Sequence, residues 1–593
     1  MTKKTPWILL ALSLALSACS AAPAPAPSDQ KEPDKQEENT GTTSLADQDF
    51  DKWLEDLFIE TCSQDYTTAH QYFIDPEAQG ITVDADSLAL GDFVATEQEK
   101  QQVKDTLKEL RDFDTSKLSA ENQQIVRQLI WQYDLEDRSN DEKFDYIATI
   151  WSEMSGVPSS LVNFFSEYQL YDEKNIEPLI ALINDTPNYV QKALDYSKKQ
   201  ADLGMLRLNL KAVTEDCQGV LDSRDDSPIT KELDLEVDSL GLDQAKADEY
   251  KTKIHEALQA SFFPAFQTMI DGLNDLSGQI GPILGLASYP NGEEYYELLI
   301  ENYAGTDKSL AEIQKECLNR MQADSDQYNA FLDKNQDAVI DAMNLQTSFE
   351  SVSEILPFLE ENYSKDFPTV KPMEYELEAL SNEQSSEGIV AYFLVPPIDS
   401  TRPYEMRYNK RDYGDDPSAM SMYDTLAHEG IPGHMYQTQY EKEHFTKNGQ
   451  YLLSSMGMQE GYATYAAIEA QKWLELDPAA LQVHNLDEDF SNQFVLLLDI
   501  LINSTEGYTK NDLSKDQGGA MDELYDQLAE NPGVFFSYNY GCSTLLDMRQ
   551  KAEDELGDKF DSVGFNNALL QAGNVRFDIV QENIDAWIAQ QQK

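Results

Sequence analysis

Residues 427–437 read Ala-His-Glu-Gly-Ile-Pro-Gly-His-Met-Tyr-Gln and bring together two of the chain's six histidines, His428 and His434. A glutamate, Glu429, directly follows the first of these histidines. Neutral imidazoles bind zinc, and a carboxylate beside the metal can take a proton from water. The stretch therefore predicts a hydrolytic zinc site in which His428 and His434 are ligands and Glu429 is the general base.

The spacing of the two histidines predicts a break in the helix that carries them. In the usual His-Glu-x-x-His pattern the histidines are four residues apart and share one helix face. Here they are six residues apart, which places them about 120° apart around an ideal helix. Pro432 and the flanking glycines can end the helix and turn the chain. We therefore expect helices over 421–430 and 435–445, with His434 turned back toward the metal.

Two polar residues near the histidines are candidates for orienting the metal ligands. Asp424 lies four residues before His428, hence on the same helix face, and a carboxylate there can hold an imidazole by a hydrogen bond. An exposed carboxylate at the start of a helix is the alternative explanation for Asp424. Gln437 lies one helical turn beyond His434. We expect Asp424 and Gln437 to support the metal site.

A second motif follows at residues 460–465, which read Glu-Gly-Tyr-Ala-Thr-Tyr. With the first motif it resembles the bacterial family named domain of unknown function 885, whose hallmark is His-Glu-x-x-Pro-Gly-His-x-x-Gln followed by Glu-Gly-aromatic-Ala-x-Tyr. That family is similar to zinc metallopeptidases whose third metal ligand is a glutamate. The resemblance implies one zinc ion per chain with Glu460 as third ligand, a peptide substrate, and a large helical, zincin-like fold.

The chain departs from the family pattern in its C-terminal part. Asn503 and Asn566 stand where family members often have histidine. A Tyr-x-x-x-Pro-Gly-Gln stretch is replaced by Phe-Ser-Tyr-Asn-Tyr-Gly-Cys at 536–542. Tyr538 or Tyr540 can still donate a hydrogen bond to a developing oxyanion, and a buried structural aromatic is the alternative. The departures leave the metal motif intact and concern the groups that bind substrate.

The N-terminus predicts an exported, lipid-anchored protein. Residues 1–18 contain lysines and then an apolar run, as a secretory signal peptide does, and the run is too short to span a membrane. Leu-Ser-Ala-Cys at 16–19 is similar to a lipoprotein processing box with lipid on Cys19; a signal peptide with a chance cysteine is the alternative. Residues 19–47 form a flexible linker. We expect the protein at the extracytoplasmic face of the cell membrane.

The remaining chain divides into two regions by sequence pattern. From 48 to 385 the apolar residues mostly recur every three or four positions, which predicts helices and a mainly α protein. The β-branched and aromatic stretch 388–395 and the alternating stretch 402–409 predict a β-hairpin beside the metal helix. The edge of this hairpin can bind a peptide backbone, or the hairpin can be purely structural. We assign the metal site to a region spanning 386–593.

The composition limits the partners. Lys and Arg total 44 and Asp and Glu total 108, so the net charge is −64. Such an acidic chain is not expected to bind nucleic acid or an anionic membrane surface, which leaves the lipid as the expected membrane contact. The four cysteines beyond Cys19 are far apart and form no metal-binding pair. The sequence leaves their disulfide pairing and the oligomeric state open.

Taken together, the motifs and the N-terminus predict a lipid-anchored, extracytoplasmic zinc metallopeptidase. Two other classes of protein are consistent with the same residues. One is a non-catalytic binding lipoprotein that keeps a metal ion for structure. The other is a zinc amidohydrolase that acts on a non-peptide amide, such as a cell-wall fragment.

Overall fold

The computed structural model describes residues 44–83, 87–152, 155–381, 384–385, 390–504, 507–513 and 519–593. The predicted signal peptide, Cys19, nearly all of the linker and the start of the first predicted strand lie outside the described residues.

The described chain is mainly α-helical, which confirms the predicted fold class. In chain order the helices are α1 Leu45–Ser63, α2 Tyr66–Tyr72, α3 Glu97–Asp112, α4 Ala120–Ser139, α5 Val157–Ser166, α6 Ile176–Asp202, α7 Leu210–Ser223, α8 Pro228–Ser239, α9 Gln244–Ala257, α10 Phe263–Asp275, α11 Gly292–Ala304, α12 Leu310–Lys334, α13 Gln336–Ala342, α14 Ile355–Asn362, α15 Lys410–Tyr413, α16 Met420–Glu429, α17 His434–His444, α18 Met456–Ala470, α19 Pro478–Asn503, α20 Lys510–Leu513, α21 Gly519–Glu530, α22 Gly541–Leu556, α23 Ser562–Leu570 and α24 Phe577–Gln591. A π-helical turn, Phe536–Tyr540, leads directly into α22.

A three-stranded sheet lies beside α16. Its strands are β1 Tyr375–Ala379, β2 Ala391–Leu394 and β3 Tyr404–Tyr408, in the order β1-β3-β2. Strands β2 and β3 pair antiparallel, with Phe393 opposite Met406, which confirms the predicted hairpin. Strand β1 pairs parallel with β3 and was not predicted, because its five residues are mostly exposed and the apolar alternation in them is short.

The two ends of the described chain share one hydrophobic core. Phe50 of α1 and Trp587 of α24 belong to the same cluster of buried residues as Leu426 of α16 and Tyr462 of α18. A second core forms within residues 151–273. The core that surrounds the metal motifs therefore takes residues from both sides of position 385.

The cysteines of the described chain form no disulfides. Cys62, Cys217, Cys317 and Cys542 are all buried and all free thiols. Across the described residues, no helix combines the length and the apolar character that crossing a bilayer requires.

Candidate metal and catalytic site

The chain breaks between the two histidines, as the spacing predicts. Helix α16 ends at Glu429, and α17 begins at His434. The N–H of Gly433 donates to the carbonyl of Ala427 across 2.9 Å, which closes the turn. A Cβ atom at Gly433 would lie 1.7 Å from the carbonyl oxygen of His428, so the position admits only glycine. The turn leaves the two imidazole rings 4.8 Å apart between centroids and nearly perpendicular.

Helix α18 places Glu460 against this turn. The hydroxyl of Tyr462 donates to the carbonyl of Pro432 across 2.9 Å, which ties α18 to the turn. On another side, a Cβ at Gly461 would lie 2.5 Å from the carbonyl carbon of Gly541, so the start of α22 touches α18 backbone to backbone. These contacts hold Glu460 fully buried.

The predicted ligands His428, His434 and Glu460 form one buried cluster. Nε2 of His434 lies 3.2 Å and Nε2 of His428 lies 3.4 Å from Oε2 of Glu460. All three donor atoms lie within 4.8 Å of one another. Nε2 of His428 and Oε1 of Glu460 are buried yet make no hydrogen bond. Buried polar atoms are normally satisfied, so both atoms require a further partner.

A zinc ion fits this cluster. Two donors that are each about 2.0–2.1 Å from a tetrahedral ion lie about 3.3–3.4 Å apart, close to the separations seen here. Two imidazoles and one carboxylate are also a donor set that zinc takes in catalytic sites. Although burial alone would raise it, the pKa of Glu460 falls to about 2, because His434 and His428 lie beside the carboxylate. Glu460 therefore stays ionised, as a ligand must.

The hydroxyl of Thr464 fixes the orientation of His428. It donates to the main-chain carbonyl of Glu460 across 2.8 Å and lies 3.4 Å from Nδ1 of His428. Because its one proton is given to the carbonyl, the Thr464 oxygen can only accept from the ring. Nδ1 of His428 therefore carries the proton, and Nε2 presents its lone pair to the other ligands.

Glu429 lies beside the cluster and is held by the sheet. It is fully buried, and its Oε2 accepts a hydrogen bond of 3.1 Å from the main-chain N–H of Phe393 in β2. Its Oε1 lies 3.9 Å from Nε2 of His428. The outer edge of β2 thus contacts the predicted general base and leaves one carboxylate oxygen toward the metal ligands.

The two predicted tyrosines have different surroundings. The ring of Tyr538 stacks on His428 with centroids 5.9 Å apart, and the π-helical turn places it there. The hydroxyl of Tyr540 donates to Glu316 across 2.7 Å and accepts from Lys308 across 3.0 Å. The structure therefore brings Tyr538 to the cluster. The hydroxyl of Tyr540 is instead bonded to Glu316 of α12 and to Lys308 just before α12. This corrects the assignment of Tyr540 as an oxyanion donor.

Asp424 and Gln437, predicted to support the metal site, bond to partners other than the two histidines. Asp424 accepts from Gln471 across 3.0 Å, and Thr464 holds the position at His428 that Asp424 was expected to fill. Gln437 donates to the side chains of Glu441 and Asn574, each across 3.2 Å. A helix presents residues i and i+4 on one face, but their side chains need not point at each other.

Asn503 and Asn566, predicted departures from the family pattern, are both fully buried. Asn503 donates to the main-chain carbonyl of Leu528 across 3.1 Å. Asn566 accepts from the hydroxyl of Tyr465 across 2.8 Å and donates to the carbonyl of Asp366 across 2.8 Å. Each asparagine therefore bonds to neighbouring elements of the fold.

A cavity of about 1880 Å³ opens beside the cluster. Its wall includes His428, Thr464 and Tyr538, together with residues of α12, α19 and α22. Glu429 and Glu460 lie behind this wall and are fully buried. The cavity is large enough for a ligand of several residues and approaches the cluster from the side of His428.

Sequence reasoning missed three groups at this site: Thr464, Gln471 and the N–H of Phe393. Thr464 occupies the variable position of the second motif, four residues after Glu460, and this helical spacing was its only signal. A main-chain N–H has no sequence signature, and Gln471 reaches Asp424 from another helix.

The fold and the cluster define a mainly helical protein with a buried centre of two histidines and one glutamate. The chain belongs to the family described as "Bacterial protein of unknown function (DUF885)", which matches residues 78–584. No curated protein gives a significant match.

The solved structures that share the fold include two bacterial proteins. One is described as "the putative lipoprotein from Colwellia psychrerythraea", with a TM-score of 0.74 and 16% identity over 91% of this chain and 100% of that one. The other is described as "a putative lipoprotein of unknown function from Shewanella oneidensis", with a TM-score of 0.54 and 14% identity over 90% and 98% of the two chains. At these identities the likeness concerns the fold alone.

Proposed function

We propose that this protein is a zinc-dependent hydrolase of peptide bonds, a divergent relative of the metallopeptidases whose third ligand is a glutamate. The observation that carries the proposal is the buried cluster of His428, His434 and Glu460, in which two donor atoms have no hydrogen-bond partner. A purely structural polar cluster would satisfy these atoms within the protein. The adjacent Glu429 supplies the further group that hydrolysis requires.

Glu429 moves the proton in the proposed reaction. A zinc ion in the cluster supplies Lewis-acid chemistry, which polarises a carbonyl and lowers the pKa of water. Glu429 accepts the proton of the attacking water at Oε1 and then donates it to the leaving amine. The N–H of Phe393 holds Oε2, so the carboxylate keeps one orientation through both transfers. Complete burial of Glu429 excludes competing solvent.

Tyr538 is the candidate for binding the carbonyl oxygen of the substrate. It lines the cavity and stacks on His428, so its phenol lies on the open side of the cluster. A phenol that donates to an oxyanion stabilises the charge that develops in the tetrahedral transition state.

The proposal includes a lipid anchor at Cys19 and a position at the extracytoplasmic face of the cell membrane. It is supported by the Leu-Ser-Ala-Cys stretch at 16–19 and by the description of both similar structures as lipoproteins. The Cys19→Ser variant should move from the membrane fraction to the soluble fraction of the cell envelope. If the variant stays with the membranes, another part of the chain binds them.

A metal assay and a peptide digest test the proposed activity together. The purified chain should hold about one zinc ion, and His434→Ala should lose it, because two ligands bind zinc much more weakly than three. A mixture of peptides incubated with the protein should yield new termini, detected by mass spectrometry, that a chelator abolishes.

The same experiment separates the other two classes. Zinc without any peptide cleavage contradicts the peptidase and supports a binding lipoprotein that uses the metal for structure. Zinc with hydrolysis of cell-wall amides but not of peptides supports the amidohydrolase. Unchanged zinc content in His434→Ala contradicts the ligand set itself.

A further inference from the structure

We propose that Asp424, Gln471 and Glu488 form a subsite for a primary ammonium group of the substrate, one helical turn from the metal ligand His428. The inference rests on the proposed peptidase function and adds a substrate class to it: peptides that carry a free α-amino group or a lysine side chain.

The subsite is adjacent to the metal cluster. Asp424 and His428 are four residues apart in α16, so their Cβ atoms are about 5–6 Å apart on one helix face. Both residues line the large cavity. A group bound at Asp424 therefore lies within about two residues of a substrate carbonyl that faces the cluster, since an extended chain advances about 3.3 Å per residue.

Gln471 provides an independent sign that a ligand is missing. Its Nε2 donates to Oδ1 of Asp424 across 3.0 Å. Its Oε1, which can only accept a hydrogen bond, therefore points away from Asp424. The residue is 3% exposed and lines the same cavity, and Oε1 has no hydrogen-bond partner. A buried acceptor without a donor is costly, and a ligand that brings N–H groups removes this cost.

Glu488 of α19 adds a second carboxylate to the same cavity. Burial raises the pKa of Asp424 to about 7; the hydrogen bond from Gln471 opposes this rise, and the negative charge of Glu488 adds to it. A bound cation would offset the negative charge that these two carboxylates bring to the cavity.

The cations of the cavity wall do not fill this role, because each is already paired with another carboxylate. The pairs are Lys308–Glu316, Arg320–Asp489, Lys472–Glu469, Arg549–Glu469 and Lys551–Asp585. Asp424, Glu488 and the free Gln471 oxygen together offer three acceptors. An ammonium group has three donors and one positive charge, and it matches this set.

Binding measurements test the subsite without turnover. The Glu429→Gln protein is titrated calorimetrically with tetra-alanine amide, which carries a free α-ammonium group, and with its N-acetylated form, in which a neutral acetamide replaces that group. A second pair consists of N-acetylated peptides that contain either one lysine or one norleucine. This pair tests whether the ammonium group of a lysine side chain binds at the subsite. We expect at least one charged peptide to bind about tenfold more tightly than its neutral partner.

Variants then assign the preference to these residues. Adding Asp424→Asn, which keeps an acceptor for Gln471, should reduce the charged-to-neutral preference to near one. Adding the exposed Glu488→Gln should reduce it partly, and neither change should alter the affinity for the neutral peptides. The matched control is Asp547→Asn, an exposed carboxylate on the wall of the same cavity that pairs with Arg320. It should leave the preference unchanged.

Two results would overturn the subsite. One is equal affinity for the charged and neutral members of both peptide pairs. The other is an equal loss of preference in Asp547→Asn, which would assign the effect to the overall charge of the cavity. Because binding is measured directly, in a variant whose turnover is expected to be strongly reduced, these results are independent of the peptide digest that tests the proposed function.

Discussion

One hydroxyl group joins two of the candidate metal ligands: Oγ1 of Thr464 lies 3.4 Å from Nδ1 of His428 and donates to the main-chain carbonyl of Glu460 across 2.8 Å. The contact ties α16 to α18 at the centre of the cluster. It also sets the tautomer of His428: Nδ1 carries the proton, and the lone pair of Nε2 is left to bind a metal ion.

Thr464→Val should weaken zinc binding while the fold remains. Valine has the shape of threonine but cannot accept from Nδ1, so the ring loses the bond that orients it. Loss of such an outer contact typically lowers metal affinity about 10- to 100-fold. Competition with a chromophoric chelator measures the zinc affinity. Thr464→Ser keeps the hydroxyl and should bind zinc nearly as tightly as the wild-type protein does. Equal affinity in the valine and serine variants would show that the hydroxyl does not orient the ring.

Glu429 and Glu460 should respond differently to the same substitution. Glu429→Gln keeps the size of the side chain but cannot accept a proton, so turnover should fall about 10²–10⁴-fold with zinc content unchanged. Glu460→Gln replaces a charged ligand with a neutral amide, so zinc content and turnover should fall together. Metal analysis and peptide cleavage are measured on both variants.

Each assignment has its own contradicting result. Full turnover in Glu429→Gln excludes this residue as the general base. Loss of zinc in Glu429→Gln would instead make Glu429 a metal ligand. Full zinc content in Glu460→Gln would remove Glu460 from the ligand set.

Gly461→Ala should destabilise the protein through a backbone clash. The added Cβ would lie 2.5 Å from the carbonyl carbon of Gly541, so α18 and α22 must separate. Such overpacking costs about 1–3 kcal/mol in the free energy of unfolding. Gly219→Ala is the matched control, because Gly219 is also helical and its Cβ would meet nothing within 4 Å. Urea unfolding should show the control unchanged or about 0.5–1 kcal/mol more stable.

The metal motif was the part of the site that sequence predicted best. The six-residue spacing of His428 and His434 required a broken helix, and the chain does break between them. The placement of Glu460 rested on the resemblance to the family, because no local pattern says that α18 packs on α16. The hydrogen bond from Tyr462 to Pro432 ties α18 to the turn after α16, and the close approach of Gly461 to Gly541 sets α18 against α22. Both contacts join positions far apart in sequence.

The contacts outside the motifs were the part that sequence could not give. Asp424 has the correct spacing to reach His428, yet it bonds to Gln471, because a competing partner comes from another helix. Tyr540 lies two residues after Tyr538, but the π-helical turn sends the two side chains to different partners. Such choices depend on tertiary packing, which periodicity in one segment does not report.

Asp324 should make stability depend on pH. Burial, and after it the charge of Asp489, raises the pKa of Asp324 to about 7, whereas an unfolded aspartate has a pKa of about 3.9. Between these values the folded state holds a proton that the unfolded state has lost. The free energy of unfolding therefore decreases as pH rises from about 4 to 7.

Asp324→Asn should reduce this decrease, because asparagine does not titrate. Urea unfolding at pH 5, 6 and 7 measures the slope, and the exposed Asp326→Asn in the same helix should leave it unchanged. A slope that is identical in wild type and Asp324→Asn would show that Asp324 does not titrate in this range.

The core shared by Phe50 of α1 and Trp587 of α24 determines when the centre can form. Synthesis delivers α1 first and α24 last, and the loop between them costs more entropy to close than any local contact. The ring of Phe50 contacts Phe113, so the end of α3 can cover part of α1 early, but the shared core is complete only when α24 arrives. Until then the core around the two histidines and the glutamate is incomplete, and its uncovered apolar surface is prone to aggregation. We therefore expect the cluster to bind a metal ion firmly only late, as one of the final steps of folding.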